Sequence, residues 1–200
     1  MSDKKRSSEA FNTPVGVALF PKAVEQGMSG KYECMVAWPK DSDAAKAILA
    51  KYKEAEAEHY PEGKPSNWAH PPLRNGDEKT YTNPDTGVVE VRKGFEGCMY
   101  VTAKSERKPF LVAPSGREPL EDPSMLQHGS HVVVNMNFYS WEHSGKCGLT
   151  LGLNSIQVSS VKDDLPGGGF QDPLATFSDM GVDSSVGAGV SEDELEDMFG

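Results

Sequence analysis

The segment from Val132 to Trp141 carries the residue pattern that most clearly indicates a chemical role in this chain. Side chains alternate between the two faces of a β-strand, so residues two positions apart share a face. One face of this segment is apolar and is expected in the core, with Val132, Val134, Met136 and Phe138. The opposite face carries Val133, two amides and two large aromatic rings, which are Asn135, Asn137, Tyr139 and Trp141.

Such a polar and aromatic face is costly to leave exposed, because surfaces of this kind are normally covered or used in binding. Single-stranded nucleic acid offers a flat π-face on every base and a phosphate on every nucleotide. Base stacking on an aromatic side chain contributes about 1–3 kcal/mol and does not depend on the sequence of bases. We therefore predict that Tyr139 and Trp141 stack on bases. The alternative is that these two rings close the end of a barrel.

Other segments extend this candidate surface. A predicted strand, Gly94–Lys104, presents Tyr100, Thr102 and Lys104 on one face. The long excursion 61–87 contains five prolines, and loops of this length are usually functional. Cations bracket the aromatic residues on neighbouring loops. The complete set of predicted DNA-binding residues is Tyr139, Trp141, Tyr100, Asn135, Asn137, Lys104, Arg107, Lys93, Arg92, Lys146, Arg74 and Trp68.

No pattern of catalytic or metal-binding residues accompanies this surface. The five histidines do not have the HExxH spacing of zinc proteases, and the three cysteines form no CxxC pair. The glycine run at 167–169 lacks the neighbours of a phosphate-binding loop. We therefore predict a protein without enzymatic activity, metal or cofactor.

The acidic excess of the chain is confined to its last 38 residues. The whole chain has 20 basic and 30 acidic side chains, and ten of the acids lie in residues 163–200, which contain no Lys or Arg. The remainder is neutral. A Gly-, Ser- and acid-rich segment cannot bury enough apolar surface to offset the entropy of ordering, so we predict a disordered tail.

The tail ends in acids that surround a few apolar residues, as interaction peptides do. We predict that it recruits partner proteins and competes with DNA for the cationic groove of the body. The alternative is a tail that only keeps the protein soluble. The predicted partner-binding residues are Glu192, Asp193, Glu194, Leu195, Glu196, Asp197, Met198 and Phe199.

The rest of the chain predicts a mainly β protein of three parts: a flexible N-terminal arm (1–12), one folded domain (13–162) and the tail (163–200). One helix is expected from Asp41 or Ser42 to about His59, because Ala45, Ile48 and residues further on recur at helical spacing. Several short strands with no βαβ rhythm predict a small closed or half-closed antiparallel barrel.

Neither a secretion signal nor a membrane span is expected. The basic cluster near the N-terminus is not followed by an apolar run. No later segment approaches the 18 or so apolar residues of a membrane-spanning helix. The three separated cysteines are expected to be reduced, which predicts a soluble intracellular protein.

The chain resembles the OB-fold single-stranded-DNA-binding proteins of tailed phages. It is most similar to a group long described only as a domain of unknown function, and more distantly to the replicative single-strand binder of T7-like phages. The resemblance covers residues 13–169. Its motifs are Thr13-Pro-Val-Gly, Leu19-Phe-Pro-Lys, Trp38-Pro-Lys-Asp, Pro72-Leu-Arg-Asn-Gly-Asp, Gly97-Cys-Met-Tyr-Val-Thr-Ala-Lys, Val133–Trp141 and Gly148–Val158.

The resemblance implies a five-stranded OB barrel with an inserted helix, sequence-independent binding of single-stranded DNA, and a role in phage replication, recombination or repair. It implies that the protein acts in the cytoplasm of the infected bacterium. It also implies that phage or host replication and recombination proteins bind the tail. Oligomeric state, including a homodimer, is left open. The main rival is an OB-fold adaptor that binds protein instead of DNA, and a third possibility is an accessory domain of a nuclease or ligase.

Overall fold

A computed structural model describes residues 7–69 and 71–160 of the chain. The predicted acidic tail, with its partner-binding residues 192–199, lies outside the described residues, as do residues 1–6 of the predicted N-terminal arm.

The described chain contains ten strands and one α-helix. In chain order, the first elements are β1 (Phe11–Asn12), β2 (Gly16–Lys22), β3 (Tyr32–Pro39), α1 (Asp43–His59), β4 (Leu73–Asn75) and β5 (Thr80–Thr82). The later elements are β6 (Val89–Val91), β7 (Cys98–Ser105), β8 (Phe110–Val112), β9 (His131–His143) and β10 (Lys146–Ser160). The prediction of a mainly β protein with one helix is confirmed.

Eight of these strands form one sheet, and β5 and β6 form a separate hairpin. The pairings of the larger sheet run from β9 through β2, β3 and β7 to β10, and β10 pairs again with β9. Most of them are antiparallel, but β10 runs parallel to both β7 and β8. The expectation of an entirely antiparallel sheet is wrong at these two pairings. Parallel neighbours need a long crossover, and the chain between β7 and β10 provides one through β8 and β9.

The interior of the sheet follows the alternation expected for β9. The side chains of Val132, Val134, Met136 and Phe138 are buried, as predicted. On strand β3, which is separated from β9 by β2, Trp38 is fully buried and donates from Nε1 to the Val15 carbonyl oxygen at 3.1 Å.

Helix α1 covers one side of this core. Its N-terminus is capped by Ser42, whose Oγ accepts a hydrogen bond from the Ala45 amide at 3.1 Å. The predicted apolar stripe is buried, through Ala45, Ile48, Leu49, Tyr52 and Ala55. Within the described residues, no helix is long and apolar enough to cross a membrane.

The N-terminal segment 7–12 lies along β9, although the sequence assigned it to an arm. The Ser8 amide donates to the Phe138 carbonyl oxygen at 2.8 Å, and Phe11 lies opposite Met136 in an antiparallel pairing. The Phe11 ring stacks on Phe138 with a centroid distance of 5.6 Å. Backbone pairing of this kind cannot be read from a polar sequence, because it depends on which strand edge the segment meets.

The proline-rich excursion 61–87 also contains regular structure. Strand β4 pairs with β7, and β5 forms its hairpin with β6. Strands β4 and β5 have three residues each, which is too short for alternation to be recognised in a sequence.

Candidate nucleic-acid interface

A groove of about 360 Å³ opens on the outer surface of the sheet. It lies where the edge of β7 changes partner. Residues 99–101 of β7 pair with β4, residues 103 and 104 pair with β10, and Thr102 lies between the two pairings. The groove is lined by Pro71, Pro72, Arg74, Thr102, Lys104, Tyr139, Trp141, Leu149 and Thr150.

The two predicted stacking residues form one side of this groove. Tyr139 lies opposite Thr150 in the β9–β10 pairing, and Trp141 lies opposite Gly148. A Cβ atom at Gly148 would lie 3.3 Å from Trp141 Nε1, so the indole ring lies directly over this glycine. Both aromatic side chains are half-buried. They therefore have packing partners and still border the open groove.

Cationic side chains lie at the same groove. Arg74 is exposed on β4, and Lys104 projects from β7 beside it. Lys146 begins β10 and is separated by even spacing from Gly148 and Thr150, so it shares their face of the strand. Of the predicted set, Tyr139, Trp141, Arg74 and Lys104 thus line the groove, and Lys146 begins the strand that supplies Leu149 and Thr150 to it.

The groove also contains residues that sequence reasoning missed. Thr102 lies on the predicted face of its strand but is not in the predicted set, and neither are Thr150, Leu149 and the pair Pro71-Pro72. The register of the β9–β10 hairpin was the available signal for Thr150. The prolines gave no signal, because their position depends on where β4 meets β7.

Tyr100 is not part of this interface. Its side chain is only 4% exposed, and its ring packs edge-to-face on Phe95 with a centroid distance of 4.9 Å. A second hydrophobic cluster, which includes Val17, Leu19 and Ala37, covers this part of the sheet. Tyr100 therefore lies on the predicted face of β7, but residues of the second hydrophobic cluster cover this face at Tyr100. Tyr100 is not expected to contact DNA and is removed from the candidate set.

Trp68 is also removed, because it packs against the main core. Its ring meets Tyr60 edge-to-face at 4.8 Å, and its indole nitrogen is buried. The backbone of Trp68 pairs with Cys147 at the start of β10. Trp68 does not line the groove, so it is not placed to stack on a base there.

The two amides of β9 are used within the protein. Asn135 Nδ2 donates to Asn12 Oδ1 at 2.8 Å, and Asn137 Nδ2 donates to Ser7 Oγ at 2.7 Å. Asn154 Nδ2 donates to the side-chain oxygens of both, at 3.0 and 3.2 Å. These hydrogen bonds hold the N-terminal segment on β9, so Asn135 and Asn137 are not expected to contact DNA.

The three remaining predicted cations do not line the groove. Lys93 lies close enough to His128 to affect its pKa. Burial lowers the pKa of His128, and the positive charge of Lys93 lowers it further. Neither Lys93 nor its neighbour Arg92 lines the groove. Arg107 is exposed in the turn after β7.

Comparisons with known proteins identify the family of the chain. Residues 17–186 match the family described as "Enterobacter phage Enc34, ssDNA-binding protein". The chain belongs to this family. This match confirms the resemblance that the sequence motifs indicated. A separate comparison with curated protein sequences gives no significant match.

Solved structures share the fold at low sequence identity. The single-stranded DNA-binding protein of bacteriophage Enc34 matches with a TM-score of 0.56 and 19% identity, covering 88% of this chain and 99% of its own. The same phage protein in complex with ssDNA matches with a TM-score of 0.56 and 21% identity, covering 84% and 100%. The single-stranded DNA-binding protein gp2.5 of bacteriophage T7 matches with a TM-score of 0.55 and 12% identity, covering 82% and 99%.

In this member of the Enc34 family, the turn after β4 is held by an ion pair that keeps Arg74 at the groove. Lys40 Nζ lies 2.6 Å from an Asp77 carboxylate oxygen, and the other oxygen accepts the Gly97 amide at 2.7 Å. Gly76 is required here, because a Cβ atom would lie 2.7 Å from the Cys98 carbonyl oxygen and closer still to that of Phe95. Burial alone would raise the pKa of Asp77, but the bonds from Lys40 and Gly97 outweigh it and lower the pKa.

We therefore predict that Asp77→Asn lowers the free energy of unfolding at neutral pH, and that this difference disappears in acid. The folded-state pKa of Asp77 is depressed, so its contribution is present above the unfolded value of about 4 and is lost as pH falls through the folded value. Urea unfolding of both proteins between neutral pH and pH 3 measures the difference. Asp85→Asn, in the exposed β5–β6 turn, is the control. An equal effect of Asp77→Asn at every pH would contradict the prediction.

Proposed function

We propose that this chain binds single-stranded DNA without reading its sequence. The observation that carries the proposal is the groove that joins Tyr139 and Trp141 to the cations Arg74 and Lys104. Aromatic faces beside a cationic groove are the general means by which proteins hold single strands without sequence preference. The family, named for an ssDNA-binding protein, supports the same function.

We further propose that the fold is an OB barrel built on five strands, β2, β3, β7, β9 and β10. The circuit of pairings among these strands supports this assignment, and OB folds commonly bind nucleic acids on one open face. In this arrangement β1, β4 and β8 are additions to the barrel. Strand β4 contributes directly to binding, because it delivers Arg74.

Each part of the groove has a separate task in this proposal. Tyr139 and Trp141 stack on successive bases, while Arg74, Lys104 and Lys146 neutralise phosphates. Thr102 and Thr150 offer hydroxyl groups that can donate or accept, so they accommodate any base edge. Binding would therefore depend on the sugar–phosphate chain and on ring stacking, which every sequence provides.

The biological setting follows from the family. We propose that the protein coats single strands in the cytoplasm of a phage-infected bacterium during replication, recombination and repair. No catalytic step is part of this proposal.

A protein-interaction adaptor is the second candidate. The β5–β6 hairpin favours it, because Val88 and Val89 are 54% and 64% exposed. Binding to oligo(dT) separates the two candidates, since an adaptor without DNA binding would not retain the oligonucleotide.

We predict tight, salt-sensitive binding to fluorescent oligo(dT). If about four to six phosphates are neutralised, the slope of log K against log salt is about −3 to −4, at about −0.7 per phosphate. Arg74→Ala should make this slope less negative by about 0.7, while Arg117→Ala in the exposed β8–β9 connection should leave it unchanged. Fluorescence anisotropy at several salt concentrations measures both. A wild-type slope near zero would exclude an electrostatic groove.

Tyr139→Ala should weaken oligo(dT) binding by about 1–3 kcal/mol, the range measured for loss of one stacked base. Tyr139→Phe keeps the ring and should retain most of the affinity. Trp141→Ala is expected to lower both affinity and melting temperature, because the indole also packs on Gly148. Tyr81→Ala, an exposed aromatic on the β5–β6 hairpin, is the control. If Tyr139→Ala lowers only the melting temperature, the ring closes the barrel and does not stack.

The acidic tail is proposed to compete with DNA for this groove and to recruit replication or recombination proteins. A flexible chain of 38 residues has a root-mean-square reach of about 30–37 Å, enough to return to a small domain. Its effective concentration at the groove is then on the order of millimolar.

Truncation after Val161 should therefore raise affinity for short single strands, most strongly at low salt, because salt screens the tail. The same truncation should abolish pull-down of partner proteins that bind Leu195, Met198 and Phe199. Anisotropy and pull-down with the full-length and truncated proteins measure these effects. If truncation changes neither property, the tail serves only solubility.

A further inference from the structure

We propose that Glu33 is an internal competitor of the DNA phosphate at Lys104 and thereby limits the affinity of the groove. The inference rests on the proposed single-stranded-DNA binding and concerns the regulation of that same site. It assigns a role to an acidic residue that neither the sequence pattern nor the family resemblance singled out.

The geometry places Glu33 directly beside the groove cation. Glu33 on β3 and Lys104 on β7 are opposite each other in the antiparallel register, and Lys104 Nζ lies 3.1 Å from Glu33 Oε1. Lys104 is the member of this pair that lines the groove. A phosphate that approaches Lys104 from the groove therefore meets an ammonium group that already has an anionic partner.

Glu33 is held in this position independently of Lys104. The Ser29 hydroxyl donates to Glu33 Oε1, and Lys22 lies opposite Glu33 on the other side, in β2. The carboxylate side chain is 20% exposed, whereas that of Lys104 is 42% exposed. The anion is thus the more fixed partner and the cation the more accessible one, which suits a cation that is shared with an incoming ligand.

The competing charge is present at neutral pH. Burial alone would raise the pKa of Glu33, but the hydrogen bonds from Ser29 and Lys104 and the charge of Lys104 outweigh burial and lower it. Close to this end of β3, Lys31 lies 3.5 Å from Glu106, so these two charges balance each other.

Two anions on one ammonium group repel each other, so binding of a phosphate at Lys104 must weaken or displace the Glu33 contact. An exposed ion pair has a modest strength, and its loss therefore limits affinity by a small factor. The groove supports such an exchange, because Lys104 lines an open volume of about 360 Å³ into which a phosphate can enter. A binder that must coat a strand and later release it gains faster dissociation from this competition.

The test is Glu33→Gln in the full-length chain, measured on oligo(dT) by anisotropy. The substitution keeps the shape of the side chain and removes its charge. Affinity should rise about two- to fivefold at low salt. The salt slope should become more negative by up to about 0.7, because Lys104 becomes fully available to a phosphate. Unchanged or weaker binding by Glu33→Gln overturns the inference and identifies Glu33 as a residue that only positions Lys104.

A double-mutant cycle shows whether the effect passes through Lys104. In a Lys104→Met background, Glu33→Gln should no longer raise affinity, and a persistent gain would contradict the proposed contact. Glu54→Gln on α1 is the matched control, because Glu54 is also paired with a lysine, Lys51, at 2.7 Å. It should change affinity much less than Glu33→Gln.

Oligo(dT) binding by the wild-type protein separates a failure of the proposed function from a failure of the role assigned to Glu33. If it does not bind oligo(dT), the proposed function fails and the inference fails with it. If it binds but Glu33→Gln binds no more tightly, only the inference fails. Melting temperatures of all variants, measured without DNA, separate loss of folding from loss of binding.

Discussion

The pairing between β9 and β10 is the constraint on which the rest of the structure depends. It extends from His143 and Lys146 at the hairpin to His131 and Ser160 at the far end. Because side chains alternate with a period of two, a slip by one residue would move the buried residues of β9 to the surface. The same register sets Tyr139 opposite Thr150 and Trp141 opposite Gly148, which shapes one side of the groove.

An irregularity in this pairing also has a structural role. The register shifts between Leu153 and Ser155, which leaves Asn154 without a direct partner in β9. Bulges of this kind redirect side chains, and Asn154 here donates to both Asn135 and Asn137. The resulting amide network fixes the N-terminal segment along β9, next to the groove but not within it. The side chains of Asn135 and Asn137, which the sequence predicted to bind DNA, thus form hydrogen bonds within the protein itself.

The outer surface of the sheet is divided between packing and binding. Around Tyr100 it is covered by Phe95 and the second hydrophobic cluster, whereas around Tyr139 it is open.

The charges of the body are balanced between acidic and basic side chains. The body has as many acids as bases, so any attraction for DNA must come from local placement rather than net charge. The Lys104–Glu33 pair shows that a cation of the groove is balanced by an acid on the adjacent strand.

The sequence by itself determined the features that depend on local periodicity and composition. The sequence gives access to the buried face of β9, the apolar stripe of the helix, the family motifs and the concentration of acids after residue 162. Tertiary structure decided which outward-facing residues remain open. Tyr100 and Tyr139 both occupy outward positions of strands, but only Tyr139 borders the groove. Tyr100 is covered by Phe95 together with Val17, Leu19 and Ala37, and these last three come from distant parts of the chain. Alternation specifies the side of a strand on which a residue lies, whereas long-range pairing determines what covers that side.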